Sequence, residues 1–299
     1  MKIFLTGSTG FIGKQLLQDL IEKKYHVRCL VRQGSENKIA HYRNKGIEIV
    51  SGDIVDADSL QGKLAGCDVI INLVGIIREF RRKGITFEKL HYQGTVNIVA
   101  AAQLQGVKRF IQMSALGANA KGKTHYQQTK FRAEEWIKES GLDYTIFRPS
   151  IVFGPEDKFV NLFAKMLKTQ QFVPVIGDGT YQLQPVAVEN VSMGFIKAIE
   201  QEDAIGKIFE VGGSEKMAFD TIIDTIADVI CTPSNKIHVP VWIMGLMAEL
   251  FDWLPIFPVT KEQITMLIDG NTCNEKPFFK HFNLQPIGFQ EGIAKYLRP

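Results

Sequence analysis

The sequence has few cysteines, few histidines and almost no excess of charge, and each shortage argues against a class of function. Its four cysteines show neither CxxC spacing nor a pairing pattern, so we expect reduced thiols in a cytoplasmic setting. Its six histidines form no HxxxH or HExxH pair, so we expect no metal site. With 35 basic against 32 acidic residues the net charge is +3, and the composition gives no reason to expect a nucleic-acid partner.

Membrane-spanning and secretory segments are also not expected. Gly7 ends the first apolar run after a few residues and no small-residue cleavage site follows, which argues against a signal peptide. An apolar segment from Val239 to Pro258, which contains Trp242 and Trp253, is too short before Pro255 to cross a bilayer. Because its apolar residues cover more than one helical face, the segment is buried, contacts a protein partner or lies at the membrane interface. We therefore expect a cytoplasmic protein, either free or peripheral at the inner membrane face.

Short apolar runs alternate with helical patterns through the first half of the chain. Six runs have strand length and are apolar on both faces, as strands covered by helices must be. They are KIFLTG from Lys2, HVRCLVR from His26, IEIVSGD from Ile47, DVIINLVG from Asp68, RFIQMSA from Arg109 and YTIFRPS from Tyr144. This alternation predicts an α/β fold, a Rossmann-type doubly wound parallel sheet with its ligand at the carboxyl ends of the strands.

The alternation changes beyond about residue 155. We assign residues 1–155 to the Rossmann domain and residues 156–299 to a smaller, mainly helical C-terminal lobe for a substrate or partner. The run KIFEVGG, residues 207–213, has the pattern of a strand and is expected to return to the main sheet.

Glycine occupies every third position of TGSTGFIG, residues 6–13, between the first strand and the helix that follows. Gly7 permits the sharp turn, Gly10 lets the backbone approach a pyrophosphate, and Gly13 lets helix and sheet pack closely. The start of the helix adds unpaired N–H groups and roughly half a positive charge. The alternative is a glycine-rich turn without a ligand. We predict that a dinucleotide contacts Gly7, Ser8, Thr9, Gly10, Phe11, Ile12 and Gly13.

The second strand ends in Arg32 and offers no carboxylate at the position that selects the cofactor. A carboxylate there would bind the ribose diol of NAD, whereas a guanidinium pairs with the 2′-phosphate of NADP. We therefore expect NADP(H) to be favoured over NAD(H), unless Arg32 stacks on the adenine and accepts either. After the third strand, Asp53 is placed to meet the adenine amino group or to cap the next helix, with Ile54 beside it.

Tyr126 and Lys130 are spaced i, i+4, so on a helix their side chains lie on one face. A tyrosine that works as an acid or base near neutral pH needs its pKa lowered by roughly three units. One ammonium at about 4 Å, in an effective dielectric near 20, supplies roughly that much. Ser114, at the end of the fifth strand, is expected to hydrogen-bond a substrate oxygen. The alternative is an exposed helix face.

These motifs together resemble the short-chain dehydrogenase/reductase superfamily, in its extended or atypical branch that includes NAD-dependent epimerases and dehydratases. The resemblance rests on TGSTGFIG, GDIVD, NLVG, GTVNIVAAA, SALGA, YQQTK and RPSIVFGPED, and extends to about residue 213. It implies that Tyr126 and Lys130 bind the nicotinamide ribose, with a substrate between the two lobes. It also implies further cofactor contacts from Leu73, Val74 and Gly75 and from Pro149 to Ile151.

Two departures from the superfamily pattern stand out. His91 replaces the usual Asn of the helix motif, and Ser114 lies only twelve residues before Tyr126. The C-terminal tail is similar to that of atypical members that include the nucleotide-binding accessory subunit of respiratory complex I, which is taken to hold NADPH structurally. Two hypotheses follow: an enzyme that transfers hydride in a carbonyl reduction or epimerase-like step, and a non-catalytic NADPH-binding structural or assembly protein.

A basic cluster, REFRRKG at residues 78–84, follows the fourth strand at the rim where a substrate would enter. It is either a solvated loop or a surface that attracts an anionic substrate, a lipid head group or a protein partner.

Overall fold

The computed structural model describes residues 1–251 and 259–298. The centre of the protein is a seven-stranded parallel sheet. Every strand predicted from the sequence forms in it. Thirteen strands lie within the described ranges: β1 Lys2–Thr6, β2 His26–Val31, β3 Ile47–Ser51, β4 Val69–Asn72, β5 Arg109–Met113, β6 Asp143–Pro149, β7 Val152–Phe153, β8 Val173–Ile176, β9 Gln182–Leu183, β10 Val186–Ala187, β11 Lys207–Val211, β12 Met217–Ala218 and β13 Lys236–Val239.

Ten α-helices lie in the same ranges and cover the sheet or build the smaller lobe. They are α1 Phe11–Glu22, α2 Gly94–Leu104, α3 His125–Glu139, α4 Val160–Thr169, α5 Val188–Glu200, α6 Phe219–Val229, α7 Val241–Phe251, α8 Lys261–Ile268, α9 Lys276–His281 and α10 Phe289–Leu297. A π-helical turn, Glu88–Gln93, leads directly into α2.

The strand order of the large sheet is β11-β6-β5-β4-β1-β2-β3, which is the order of a doubly wound fold. The chain starts in the middle at β1, winds outward to β3, and returns through β4 to build the other half. The strand order therefore reverses between β1 and β4, and the carboxyl ends of these two strands open a crevice there. The last strand, β11, comes from beyond residue 200 and pairs with β6 from Lys207 opposite Thr145.

Two large apolar clusters support this arrangement. In the first, α1 and α5 pack on one face of the sheet, with Leu16, Leu17 and Phe195 fully buried. In the second, α4, α6 and α10 form the core of the C-terminal region around Phe219 and Ile293. The two regions are also joined directly, since Phe278 and Phe282 of the chain's end pack in the first cluster.

Helix α7 covers the first part of the apolar segment predicted from the sequence. Its Met244 and Ala248 are buried against Ile176 and against Ile264 of α8. Its opposite face is exposed, with Trp242 71% and Leu246 53% accessible. The rest of the segment, residues 252–258 with Trp253, lies outside the described residues. Of the helices within 1–251 and 259–298, none has both the length and the apolar character needed to cross a membrane.

Candidate functional site: a dinucleotide crevice with a tyrosine–lysine pair

The glycine turn between β1 and α1 is tight enough that two of its positions admit no side chain. Gly7 has a φ of +74°, which is the left-handed region that glycine adopts without strain. A Cβ on Gly13 would lie 2.1 Å from the carbonyl oxygen of Gly7, so the helix sits directly on the turn. Gly10, the residue before the helix, contributes no side-chain cap, which leaves the helix start open to an anion.

The other residues of the turn differ in what they offer a ligand. Ser8 is fully buried, and its Oγ has no hydrogen-bond partner among the described residues. The thiol of Cys29 lies near that hydroxyl without meeting the geometry of a hydrogen bond. Ile12 packs on the core and Phe11 lies against Gly154, whereas Thr9 is half-buried. An orphaned buried hydroxyl beside an open helix start fits a bound pyrophosphate.

The ends of β2 and β3 carry the residues expected near the adenosine half. Arg32 follows β2 directly and is exposed. Asp53 accepts a hydrogen bond from the Val55 N–H at 3.2 Å, so its carboxylate stabilises its own turn. Ile54 is buried, and its side chain would meet a Cβ on Gly94 at 2.5 Å, so it packs against the start of α2.

The end of β4 joins the glycine turn to the tyrosine–lysine pair. A Cβ on Gly7 would contact Leu73 at 3.1 Å, and a Cβ on Gly75 would lie 3.0 Å from the Nζ of Lys130. Val74, between them, is half-buried and packs on the core below. Residues 73–75, at the end of β4, therefore lie between the glycine turn and Lys130.

Helix α3 presents Tyr126 and Lys130 on one face. The helix begins with a capping box, in which the side chains of Thr124 and Gln127 each accept the backbone N–H of the other residue. This fixes where the helix begins and therefore which face Tyr126 and Lys130 occupy. Lys130 is only 3% exposed, and its Nζ donates to the Met113 carbonyl at 3.2 Å. Tyr126 is half-buried.

Burial sets the proton affinities of this pair. It lowers the pKa of Lys130 to about 8, although the charge of Glu134 acts in the opposite direction. It raises the pKa of Tyr126 to about 12. The sequence predicts that the ammonium lowers the pKa of this phenol, whereas in the structure burial raises it. The phenol is protonated at neutral pH.

His91 holds the phenol ring in place and stands where the superfamily usually has an asparagine. It lies in the π-helical turn, a local distortion often found at functional sites. Its ring meets Tyr126 edge-on, with centroids 5.2 Å apart, and its Nδ1 lies 3.1 Å from Thr129 Oγ1. Burial and the charge of Lys130 both lower its pKa, so the imidazole is neutral. Its Nε2 lies 3.1 Å from both the N–H and the carbonyl oxygen of Ile76, so it accepts from the first or donates to the second according to its tautomer.

The hydroxyl of Ser114 forms a hydrogen bond with Glu134, a residue that the sequence analysis did not identify. Its hydroxyl donates to Oε1 of Glu134, a carboxylate with no exposed surface. The same carboxylate accepts from Nε of Arg148 at 2.9 Å and from its Nη2 at 2.5 Å. The proton that was expected to reach a substrate oxygen is thus held inside the protein. Only the spacing of Glu134, eight residues after Tyr126 on α3, could have indicated this partner.

The residues expected to close over the nicotinamide lie where the chain leaves the sheet, at the end of β6. Pro149 ends β6, is buried, and accepts the Leu116 N–H at 3.0 Å. Ile151 is half-buried and accepts the Val186 N–H at 2.9 Å, which ties this exit to the smaller lobe.

Two further elements contact the residues around the tyrosine–lysine pair. The basic cluster forms a small hairpin with Phe80 bridged to Ile85, and Glu79 anchors it by accepting the Phe87 N–H at 2.8 Å. On the other side, Glu262 of α8 accepts the His125 N–H at the start of α3 at 3.2 Å.

Comparison with known proteins identifies the family of the chain. A family model described as NAD(P)H-binding matches residues 7–165, and one described as an RmlD substrate binding domain matches residues 118–238. The chain belongs to this NAD(P)H-binding family, of the extended short-chain dehydrogenase/reductase type to which epimerases belong.

Three similar proteins illustrate the range of that family. The chain is 30% identical over 267 residues to NADH dehydrogenase (ubiquinone) 1 alpha subcomplex subunit 9, a mitochondrial protein of Arabidopsis thaliana. The aligned residues cover 86% of this chain and 66% of that protein, just under two thirds of its length. It is 26% identical over 322 residues to UDP-glucose 4-epimerase of Vibrio cholerae, covering 99% of this chain and 95% of the enzyme. A Streptomyces venezuelae dTDP-glucose 4,6-dehydratase variant solved with NAD has a TM-score of 0.80 at 20% identity, covers 100% and 96% of the two chains, and shows the fold alone.

Proposed function

We propose that this protein is an NADP(H)-dependent oxidoreductase that reduces a carbonyl or performs an epimerase-like redox step. The observation that carries the proposal is that residues 73–75 link the glycine turn to Lys130: a Cβ added at Gly7 would meet Leu73, and one added at Gly75 would meet the Nζ of Lys130. A nicotinamide cofactor, when bound, supplies or accepts the hydride. The chain's own residues then have to bind it, orient it and move one proton.

The roles divide along the crevice. The turn from Gly7 to Gly13 holds the pyrophosphate with backbone N–H groups and Ser8 Oγ. The buried ammonium of Lys130 donates to the nicotinamide ribose. Tyr126, whose phenol is protonated at neutral pH, gives its proton to the substrate oxygen.

The test is to strip the purified protein of nucleotide, reload it with NADPH, and follow oxidation with a panel of aldehydes, ketones, quinones and nucleotide sugars. Tyr126→Phe is expected to lower turnover about 10²- to 10⁴-fold while nucleotide affinity stays within a few fold. Tyr42→Phe, a half-buried tyrosine on another element, is the matched control. NADPH that no substrate oxidises, or a Tyr126→Phe variant with full turnover, would remove the enzymatic proposal.

Preference for NADP(H) rests on Arg32, an exposed cation directly after β2. Arg32→Asp is expected to weaken NADPH binding about tenfold or more and to leave NADH binding within a few fold, as measured by calorimetry. An equal effect on both cofactors would contradict the preference.

The basic hairpin supports an anionic substrate. Arg82 and Lys83 are exposed beside a crevice where their field attracts negative charge. Replacing both by Gln is expected to raise KM for anionic substrates but not for neutral ones, and added salt is expected to reduce the difference. An equal change for both kinds of substrate would contradict this assignment.

A second function is favoured by the bond between Ser114 and Glu134, which leaves the substrate-orienting hydroxyl engaged. In that case the nucleotide stabilises a structural or assembly protein, and the Arabidopsis thaliana relative, named as a subunit of NADH dehydrogenase, is an example of a similar protein that belongs to an assembly. The exposed face of α7 then meets a protein partner or the inner surface of a membrane. Tightly retained NADPH with no turnover is the outcome that favours it.

A further inference from the structure

Glu134 stands on the same face of α3 as Tyr126 and Lys130, two turns beyond the tyrosine. The three positions are spaced four residues apart, so their side chains follow one another along the helix. Glu134 has no exposed surface, and a carboxylate in such a place persists only when it is fully paired. Its partners are Ser114 Oγ and the guanidinium of Arg148.

The polar and titratable groups around Lys130 lie on four elements. From α3 come Tyr126, which is neutral, and Glu134. From the π-helical turn comes His91, which is also neutral, and from β5 comes the carbonyl of Met113. From β6, Arg148 lies beyond the carboxylate and forms an ion pair with it. Glu134 is therefore the group that favours the charged form of Lys130 against its burial.

We propose that Glu134 is a positioning residue of this site: it keeps the side chain of Lys130 charged at neutral pH and holds the Ser114 hydroxyl away from the substrate. The inference deepens the proposed function and rests on it for the role of Lys130. Two successive residues at the end of β5 are fastened to α3 in this way, since Met113 accepts from Lys130 and Ser114 donates to Glu134. Arg148 compensates the charge of the Glu134 carboxylate. This one carboxylate thus acts on the protonation of Lys130 and also fixes the orientation of the Ser114 hydroxyl.

The size of the effect follows from the spacing. Side chains at i, i+4 have Cβ atoms about 5 to 6 Å apart, and a full charge at that distance in an effective dielectric near 20 shifts a pKa by about two units. Arg148 keeps its charge in Glu134→Gln, so that substitution removes the field of the carboxylate alone, and we expect a shift of at least about one unit. With the pKa of Lys130 at about 8, a downward shift of that size leaves the amine half neutral near pH 7.

The test measures Lys130 directly in the full-length, nucleotide-free protein. Lysine labelled with ¹³C at Cε is titrated by NMR, and the Lys130 signal is assigned by its loss in Lys130→Arg. Glu134→Gln is expected to lower the pKa of Lys130 by at least about one unit, whereas Glu135→Gln, an exposed neighbour paired with Lys138, is expected to leave it unchanged. An unchanged pKa of Lys130 in folded Glu134→Gln overturns the proposal.

Removing one member of a buried ion pair destabilises a protein strongly, so Glu134→Gln alone can fail to fold. The double variant Glu134→Gln, Arg148→Gln removes both charges and keeps two groups able to hydrogen-bond. It is expected to lower the pKa of Lys130 by less than Glu134→Gln does, because the charge of Arg148, which opposes that of Glu134, is removed with it. Glu134→Asp, which keeps the charge, is expected to stay near the wild-type value, and equal shifts in Glu134→Asp and the double variant would overturn the proposal.

The titration needs no turnover, so it stands apart from the assay of the proposed function. A lowered pKa of Lys130 with no substrate turnover supports the role of Glu134 and removes the enzymatic proposal. Turnover together with an unchanged pKa of Lys130 in Glu134→Gln supports the enzymatic proposal and removes the role of Glu134.

Discussion

Lys130 carries a charge in a place that water does not reach, and this burial costs the fold stability. Its pKa of about 8 lies below the ordinary lysine value of roughly 10.4. Below pH 8 both the folded and the unfolded chain hold the proton, and the folded chain bears the whole cost. Between pH 8 and 10.4 the unfolded chain binds more protons, so this contribution to stability improves as pH rises.

Lys130→Met is therefore expected to raise the free energy of unfolding of the nucleotide-free protein by about 1 to 3 kcal/mol at pH 7. Denaturant titrations at several pH values measure it, and the gain is expected to shrink above pH 8. Lys138→Met, an exposed lysine on the same helix, serves as the control and is expected to stay within about 0.5 kcal/mol of wild type. A gain that does not change with pH would show that packing, and not the charge, is responsible.

At the residue scale the sequence predicts which side chains share the crevice better than it predicts their proton affinities. Tyr126 and Lys130 share a helix face because four residues are about one turn. The raised pKa of Tyr126 depends on how much water the folded chain removes, which spacing does not encode. The bond from Ser114 to Glu134 spans 20 residues and depends on which way a side chain leaves the end of β5.

At the scale of single elements the strands of the large sheet are the most predictable parts, because a strand covered on both sides must be apolar throughout. Helix α7 was less predictable. Its composition is apolar on both faces, and only its packing on α8 separates the buried Met244 and Ala248 from the exposed Trp242 and Leu246.

The two faces of α7 are expected to respond differently to substitution. Met244→Ala is expected to cost about 2 to 3 kcal/mol, because it empties space against Ile176 and Ile264. Leu246→Glu is expected to change the free energy of unfolding by no more than about 0.5 kcal/mol, since its side chain is 53% exposed. Chemical denaturation measures both, and Ala248→Ser offers a second buried position. A large cost at Leu246 would mean that this face is covered within the protein.

At the scale of the whole molecule, the sheet and the C-terminal region share their packing. The ring of Phe147 on β6 lies 4.6 Å from that of Phe195 and 5.7 Å from that of Phe282, measured between centroids. Strand β11 pairs with β6 along five residues, from Lys207 to Val211. The boundary near residue 155 predicted from the sequence therefore lies between elements that pack on one another.

A fragment of residues 1–155 is accordingly expected not to fold cooperatively. It leaves the edge of β6 unpaired and the ring of Phe147 without its partners, which favours aggregation. Size-exclusion chromatography and thermal unfolding followed by circular dichroism measure this, with the full chain as the reference. A fragment of residues 1–213, which keeps β11 and Phe195, is expected to be better behaved but still short of the full chain. A monomeric 1–155 fragment with one sharp transition would contradict the expectation.

The late arrival of β11 has a consequence for synthesis on the ribosome. Strand β6 ends at Pro149 and its neighbour begins at Lys207, so about 60 codons separate the two. At roughly 5 to 20 residues per second, the nascent polypeptide waits about 3 to 12 s with an open hydrogen-bonding edge. We expect slow translation through that interval to increase wrong pairing between neighbouring nascent chains, and a chaperone that shields the edge to raise the yield of native protein.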